Sequence, residues 1–201
     1  RTCDTIQDRF EAAMTMSAEG EADSLRSLGA AVHVALEALG VACERADLDP
    51  HDLPGPARRA LAWLGLLADS DHRYAHLQAL RVAAGVDPRV RTRFFNTTTL
   101  YRLSPQMASV QLTAHEAFVG APDDVLRALV RLGIPYSHKR VHRAQVMIYS
   151  ETVEFRSALE GLDRFNRPAE DAGRGRHIDL GSIFSRINRA YFEGRMDRPH
   201  L

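Results

Sequence analysis

Apolar residues recur at three- and four-residue steps through most of the chain, a spacing that predicts a mainly helical protein. Leu25, Leu28, Val32, Leu36 and Leu39 mark a helix over 22–39, with Gly40 as its C-terminal stop. The stretch ADLDPHDLPGP at 46–56 breaks the pattern, because proline restricts its predecessor and donates no backbone hydrogen bond. A helix over 56–67 follows, carrying Leu61, Trp63, Leu64 and Leu67. Asp69, Ser70 and Asp71 end it and cap another over 71–84, which Gly85 closes. Two helices joined so tightly form a hairpin.

Beyond Pro88 the period shortens to two. The stretch 91–103 is dense in Phe, Thr and Tyr, and 109–119 alternates Val110, Leu112 and Ala114 with Ser109, Gln111 and Thr113. With Ser104-Pro105-Gln106 as the turn between them, an antiparallel pair is expected, packed on the helices because it is marginal alone. The next helix is the best punctuated: Pro122 at its start, Asp123 and Asp124 at the positive end of its dipole, Val125, Leu126, Leu129, Val130 and Leu132 as its stripe, and Gly133 as its stop. Val141, Ile148, Phe155 and Leu162, seven apart, favour helix over 138–162, with a short strand at QVMIY or a division at Ser150 as the alternatives. After the polar stretch 166–176, Asp179 caps a last helix bearing Leu180, Ile183, Phe184, Ile187 and Tyr191. The expected fold class is α+β, predominantly helical, with helical hairpins packed against a small antiparallel β-hairpin or sheet. Three parts are expected: an acidic helical extension over 1–53, a helix-rich body over 54–165 with the hairpin near 91–119, and a linker plus final helix over 166–201.

At 45% apolar and 26% charged residues, 201 positions bury a sizeable core, which excludes a disordered tail and a disulfide-stapled miniprotein. No uninterrupted apolar run approaches the roughly 20 residues needed to cross hydrocarbon, and no leader ends in a small-residue cleavage site, so a cytoplasmic protein without membrane contact is expected. The overall charge balance conceals a gradient: residues 1–53 hold 11 acids against 4 bases, and 54–201 hold 22 bases against 15 acids. The two parts attract each other, or the second attracts an anion. Lys139 is the only lysine, leaving 25 arginines, which suit bidentate pairing with carboxylate or phosphate but also follow from the codon bias of a GC-rich genome. Cys3 and Cys43 are two thiols without Cys-x-x-Cys spacing, read as reduced and structural.

Candidate chemistry is sparse. His72 with His76, and His138 with His142, have the four-residue spacing that places two imidazoles on one helix face, where they could share a zinc ion. In place of the glutamate that follows the first histidine in zinc hydrolases stand Arg73 and Lys139, whose charge opposes a bound dication, so both pairs are read as solvent-facing. His115-Glu116 lacks a second histidine and is read as part of a strand. No nucleophile elbow, phosphate-binding loop or dinucleotide fingerprint is present, and the GRGR of 173–176 is read as linker. Arg89, Arg91, Arg93 and Arg102, interleaved with Phe94, Phe95 and Tyr101, form the candidate nucleic-acid-binding set, a composition suited equally to a core.

The C-terminal string HIDLGSIFSRINRAYFEGRMDRPHL, 177–201, resembles the opening segment of SprT-like zinc metallopeptidase domains. In those domains a helix of the form Phe-x-x-x-Asn-x-x-Tyr-Phe-x-Gly leads into the first strand, and Phe184, Asn188, Tyr191, Phe192 and Gly194 match it. LTAHEAFVGAP at 112–122 and the DDVLRALVRL helix are more loosely similar to bacterial proteins that carry such a domain at their end, whereas 1–89 is not covered. The resemblance implies a protease fold with a His-Glu-x-x-His helix and a third downstream zinc ligand, and in some members a role on DNA-bound proteins. That motif does not occur in this sequence, so the resemblance gives no residue here a catalytic or metal role, and the five matching positions are read as packing. No cofactor is expected within the chain; zinc enters only if a His-Glu-x-x-His segment follows Leu201. The expectation is a non-catalytic N-terminal portion that positions a partner or substrate, with a stand-alone protein-binding adaptor or an arginine-rich nucleic-acid binder as alternatives.

Overall fold

The computed structural model describes residues 2–135 and 137–163. The linker, GRGR and the family-motif positions Phe184, Asn188, Tyr191, Phe192 and Gly194 lie outside the described residues. Helix α1 spans Thr2–Ala13 and buries Ile6, Gln7 and Phe10, a helix the apolar spacing did not reveal. Helix α2 runs from Ala18 to Arg45, well past Gly40. The stop lies at Asp47, which takes a left-handed backbone at φ 51°. Its N–H donates to Glu44 O at 3.2 Å while Leu48 N–H donates to Cys43 O at 3.0 Å, the paired bonds that satisfy the last carbonyls of a helix. At about 1.5 Å per residue α2 is roughly 42 Å long, and among the described residues it alone is long and apolar enough to cross a membrane by length and composition. Leu28 and Val32 nevertheless join the core, and Glu21 accepts from Arg81 at 2.7 Å.

Helices α3 (Gly55–Leu67) and α4 (Ser70–Ala84) form the expected hairpin. The Asp69 side chain caps α4 by accepting from His72 N–H at 2.8 Å. Arg73 reaches back from α4 to donate to Leu67 O and Ala68 O at 2.7 and 2.8 Å, closing the carboxyl end of α3.

The expected antiparallel pair is present, but a further strand joins it. Residues 91–103 divide into β1 (Val90–Phe95) and β2 (Tyr101–Pro105), and β3 (Val110–His115) inserts between them in the order β1-β3-β2. β3 is antiparallel to β2, with Leu103 opposite Leu112, and parallel to β1, with Phe94 opposite Ala114. The NTTTL stretch lets the chain leave β1 and return one strand further out, a topology that residue composition does not encode. One sheet face carries Val90, Phe94, Leu112 and Ala114 into the core, while Arg91, Arg93, Arg102, Gln111 and Thr113 share the other.

After β3 a short 3-10 turn (Glu116–Phe118) leads into α5 (Asp123–Leu132), which buries its predicted stripe. The predicted helix over 138–162 is two helices, α6 (Lys139–Ser150) and α7 (Val153–Asp163), divided next to Ser150 where Thr152 Oγ1 accepts from Phe155 N–H. α4 packs on β1 and α5, α5 on α6, and α3 on α7. One buried cluster runs from Ile6 and Phe10 through Leu28, Trp63, Phe94 and Leu129 to Phe155 and Leu162, so the core is continuous across 46–55.

Candidate functional site

The central strand β3 delivers Glu116 to the end of the sheet, against the first two turns of α4. There Glu116 meets both histidines of the first pair. His72 Nε2 lies 2.9 Å and His76 Nδ1 2.8 Å from Glu116 Oε1, while Trp63 Nε1–H of α3 donates to Oε2 at 2.9 Å. His76 and Glu116 are fully buried, whereas 24% of the His72 side chain reaches solvent. The Phe10 ring stacks on His76 with centroids 4.2 Å apart, and Phe94 meets it edge-on at 5.8 Å. The reading of His72 and His76 as solvent-facing is thus corrected, as is that of Glu116 as a strand residue. Glu116 opens the turn after β3, and His115 Nδ1 accepts from Ala117 N–H to hold that turn.

Burial pushes the Glu116 carboxyl up, but the charge of His76 and the hydrogen bonds from His72 and His76 outweigh it, holding the group at about 2. The side chain is an anion at neutral pH, with three N–H partners available to it. Sequence spacing flagged the histidines. What it missed is that a glutamate 40 positions beyond His76, with no motif around it, completes the set; only the placement of β3 brings them together.

The four arginines of the nucleic-acid set are distributed unevenly. Arg89 folds back on Asp87 with bonds of 3.0 and 2.8 Å and keeps that carboxyl at about 2 through hydrogen bonding. Arg93 lies over Asp4, Asp8 and Glu11 of α1 at 3.8, 3.6 and 3.6 Å, one point where the acidic N-terminal part meets the basic body. Arg91 and Arg102 are exposed.

A second feature is a surface. Between α5 and α6 an open groove of about 700 Å³ is lined by Val125, Val141, Ala144, Ile148 and Tyr149, with Asp124 and Arg140 at its rim. No family model matches the chain, and no curated protein or solved structure is significantly similar to it.

Proposed function

We propose that this chain is the non-catalytic N-terminal portion of an SprT-like metallopeptidase-related protein, and that it positions a protein substrate by holding an apolar segment in the groove between α5 and α6. The observation carrying the reading is the exposure of Val141 and Ile148, 63% and 70%, two turns apart on α6 beside the half-buried Tyr149. A helix that met only water would carry polar residues there; a contiguous apolar strip over a groove is the signature of a helix or extended segment docking. Among the polar lining residues Gln145 donates to Asp124 at 2.6 Å. The similarity of 177–201 to the opening segment of the peptidase domain supplies the connection to proteolysis.

The test uses the longer gene product and casein cleavage. Val141→Asp combined with Ile148→Asp, both at exposed positions, is expected to raise KM at least about tenfold with kcat unchanged, the sign of lost substrate binding rather than lost chemistry. An unchanged KM, or a reading frame that encodes no His-Glu-x-x-His helix beyond Leu201, overturns the proposal.

A further inference from the structure

We propose that His72, His76 and Glu116 form a binding site for one divalent transition-metal ion, best suited to zinc, that ties the start of α4 to the end of β3. The inference is independent of the groove and of any zinc in a downstream peptidase domain. One ring nitrogen from each histidine and a Glu116 oxygen lie within 4.8 Å of one another. Two imidazole nitrogens and one carboxylate oxygen are a borderline donor set that fits zinc and its neighbours better than magnesium or calcium, which prefer oxygen alone.

Two further observations favour an ion, and one opposes it. Trp63 holds Oε2 and leaves Oε1 directed at both imidazoles, the kind of outer hydrogen bond that fixes a ligating carboxylate. Against it, His76 Nε2 is buried without a hydrogen-bond partner among the described residues, so with Nδ1 on the metal the ring's proton occupies a nitrogen that has no outer acceptor, and binding carries that cost. Arg73, whose charge argued against a dication in the sequence, is turned away: its guanidinium is bonded to Leu67 O and Ala68 O and packs against Gly29 of α2.

The ligand spacing needs a modest adjustment. Metal bonds of about 2.0–2.1 Å place tetrahedral ligands roughly 3.3 Å apart, so the contacts of 2.8 and 2.9 Å must open by a few tenths of an ångström. His72, the one member reached by solvent, has room to give, and its open side admits water as a fourth ligand.

The experiment is titration of the full, metal-stripped chain with cobalt(II), followed by its visible bands and by competition with zinc. One equivalent is expected to give the intense absorption of a four-coordinate site. His72→Ala, at the solvent-reached position, is expected to weaken binding at least about 100-fold, since outer-ligand changes alone cost 10–100-fold. The double variant His138→Ala with His142→Ala is expected to bind as the parent does. The proposal is overturned if the parent takes up no cobalt at micromolar concentration, if binding survives His72→Ala, or if it is lost in the double variant. Circular dichroism of His72→Ala separates a lost ligand from a lost fold, and the parent titration stands whatever that variant does.

Discussion

The chain contains the same four-residue histidine spacing twice, and the two copies come to opposite ends. His72 and His76 both belong to α4, face the end of the sheet and share a buried carboxylate. His138 caps the start of α6 with a non-helical backbone at ψ 64°, and among the described residues no carboxylate joins it and His142 in a cluster of three potential ligands. The charges acting on His142 are Arg131 and His138, both basic; burial, then those neighbours, lower its affinity for a proton. Spacing therefore brings two histidines near each other but does not by itself make a site. A third, oppositely charged group from a distant element then decides whether the pair does anything.

The strongest way to break this contrast is to remove the third group. Glu116→Ala leaves Trp63 Nε1 and two imidazoles without their shared acceptor, and is expected to destabilise the protein by about 4 kcal/mol, the scale of breaking a buried charged network. His142→Ala, at a half-buried position, is expected to cost no more than about 1 kcal/mol. Urea unfolding of both variants with chelator present measures the difference; similar losses would mean that the two pairs are energetically alike and the contrast is empty.

Acid provides a graded version of the same experiment. The Glu116 carboxyl is held near 2 in the folded protein against an ordinary 4.5. A depressed folded-state value contributes stability that is complete above the unfolded value and disappears as pH falls through the folded one. The contribution, on the order of 3 kcal/mol for this buried group, is expected to be present above about pH 4.5 and lost towards pH 2 in the metal-free protein. Glu116→Gln, which cannot ionise but keeps an acceptor for Trp63, should lose this dependence. If the parent and Glu116→Gln unfold along parallel pH curves, the anion is not what holds the cluster.

Much of the helical frame was legible in the chain because its signals are local. The α3–α4 hairpin followed from Leu61 to Leu67 and the Asp69 cap, and α5 from its stripe between Pro122 and Gly133. The stop of α2 was misplaced since glycine is merely costly inside a helix, whereas the left-handed Asp47 with its two closing bonds ends one. The strand order was not legible: β3 chooses both neighbours, one of them parallel, through contacts that no alternation specifies. The site failed for the same reason. Its histidines were visible, but Glu116 looked like one more residue in LTAHEAFV, and burial of a charge is a property of the assembled core.

The smallest expected effect tests the residue that made the first histidine pair look unpromising. Arg73 and Lys139 occupy equivalent places, each following the first histidine of its pair, and by charge alone both repel a dication. On α4, however, the residue after His72 is rotated about 100° from it, and Arg73 spends its guanidinium on the carboxyl end of α3. Lys139 is exposed at the start of α6. Arg73→Gln is therefore expected to cost about 2 kcal/mol through lost charged hydrogen bonds, with Lys139→Ala within about 0.5 kcal/mol. Cobalt affinity should move less than about threefold in either variant if the carbonyls of Leu67 and Ala68 that the guanidinium bonds offset its charge. A tenfold gain in affinity on removing Arg73 would show that its charge reaches the cluster after all, and that the basic neighbour weakens the site even in the pair that the fold completes.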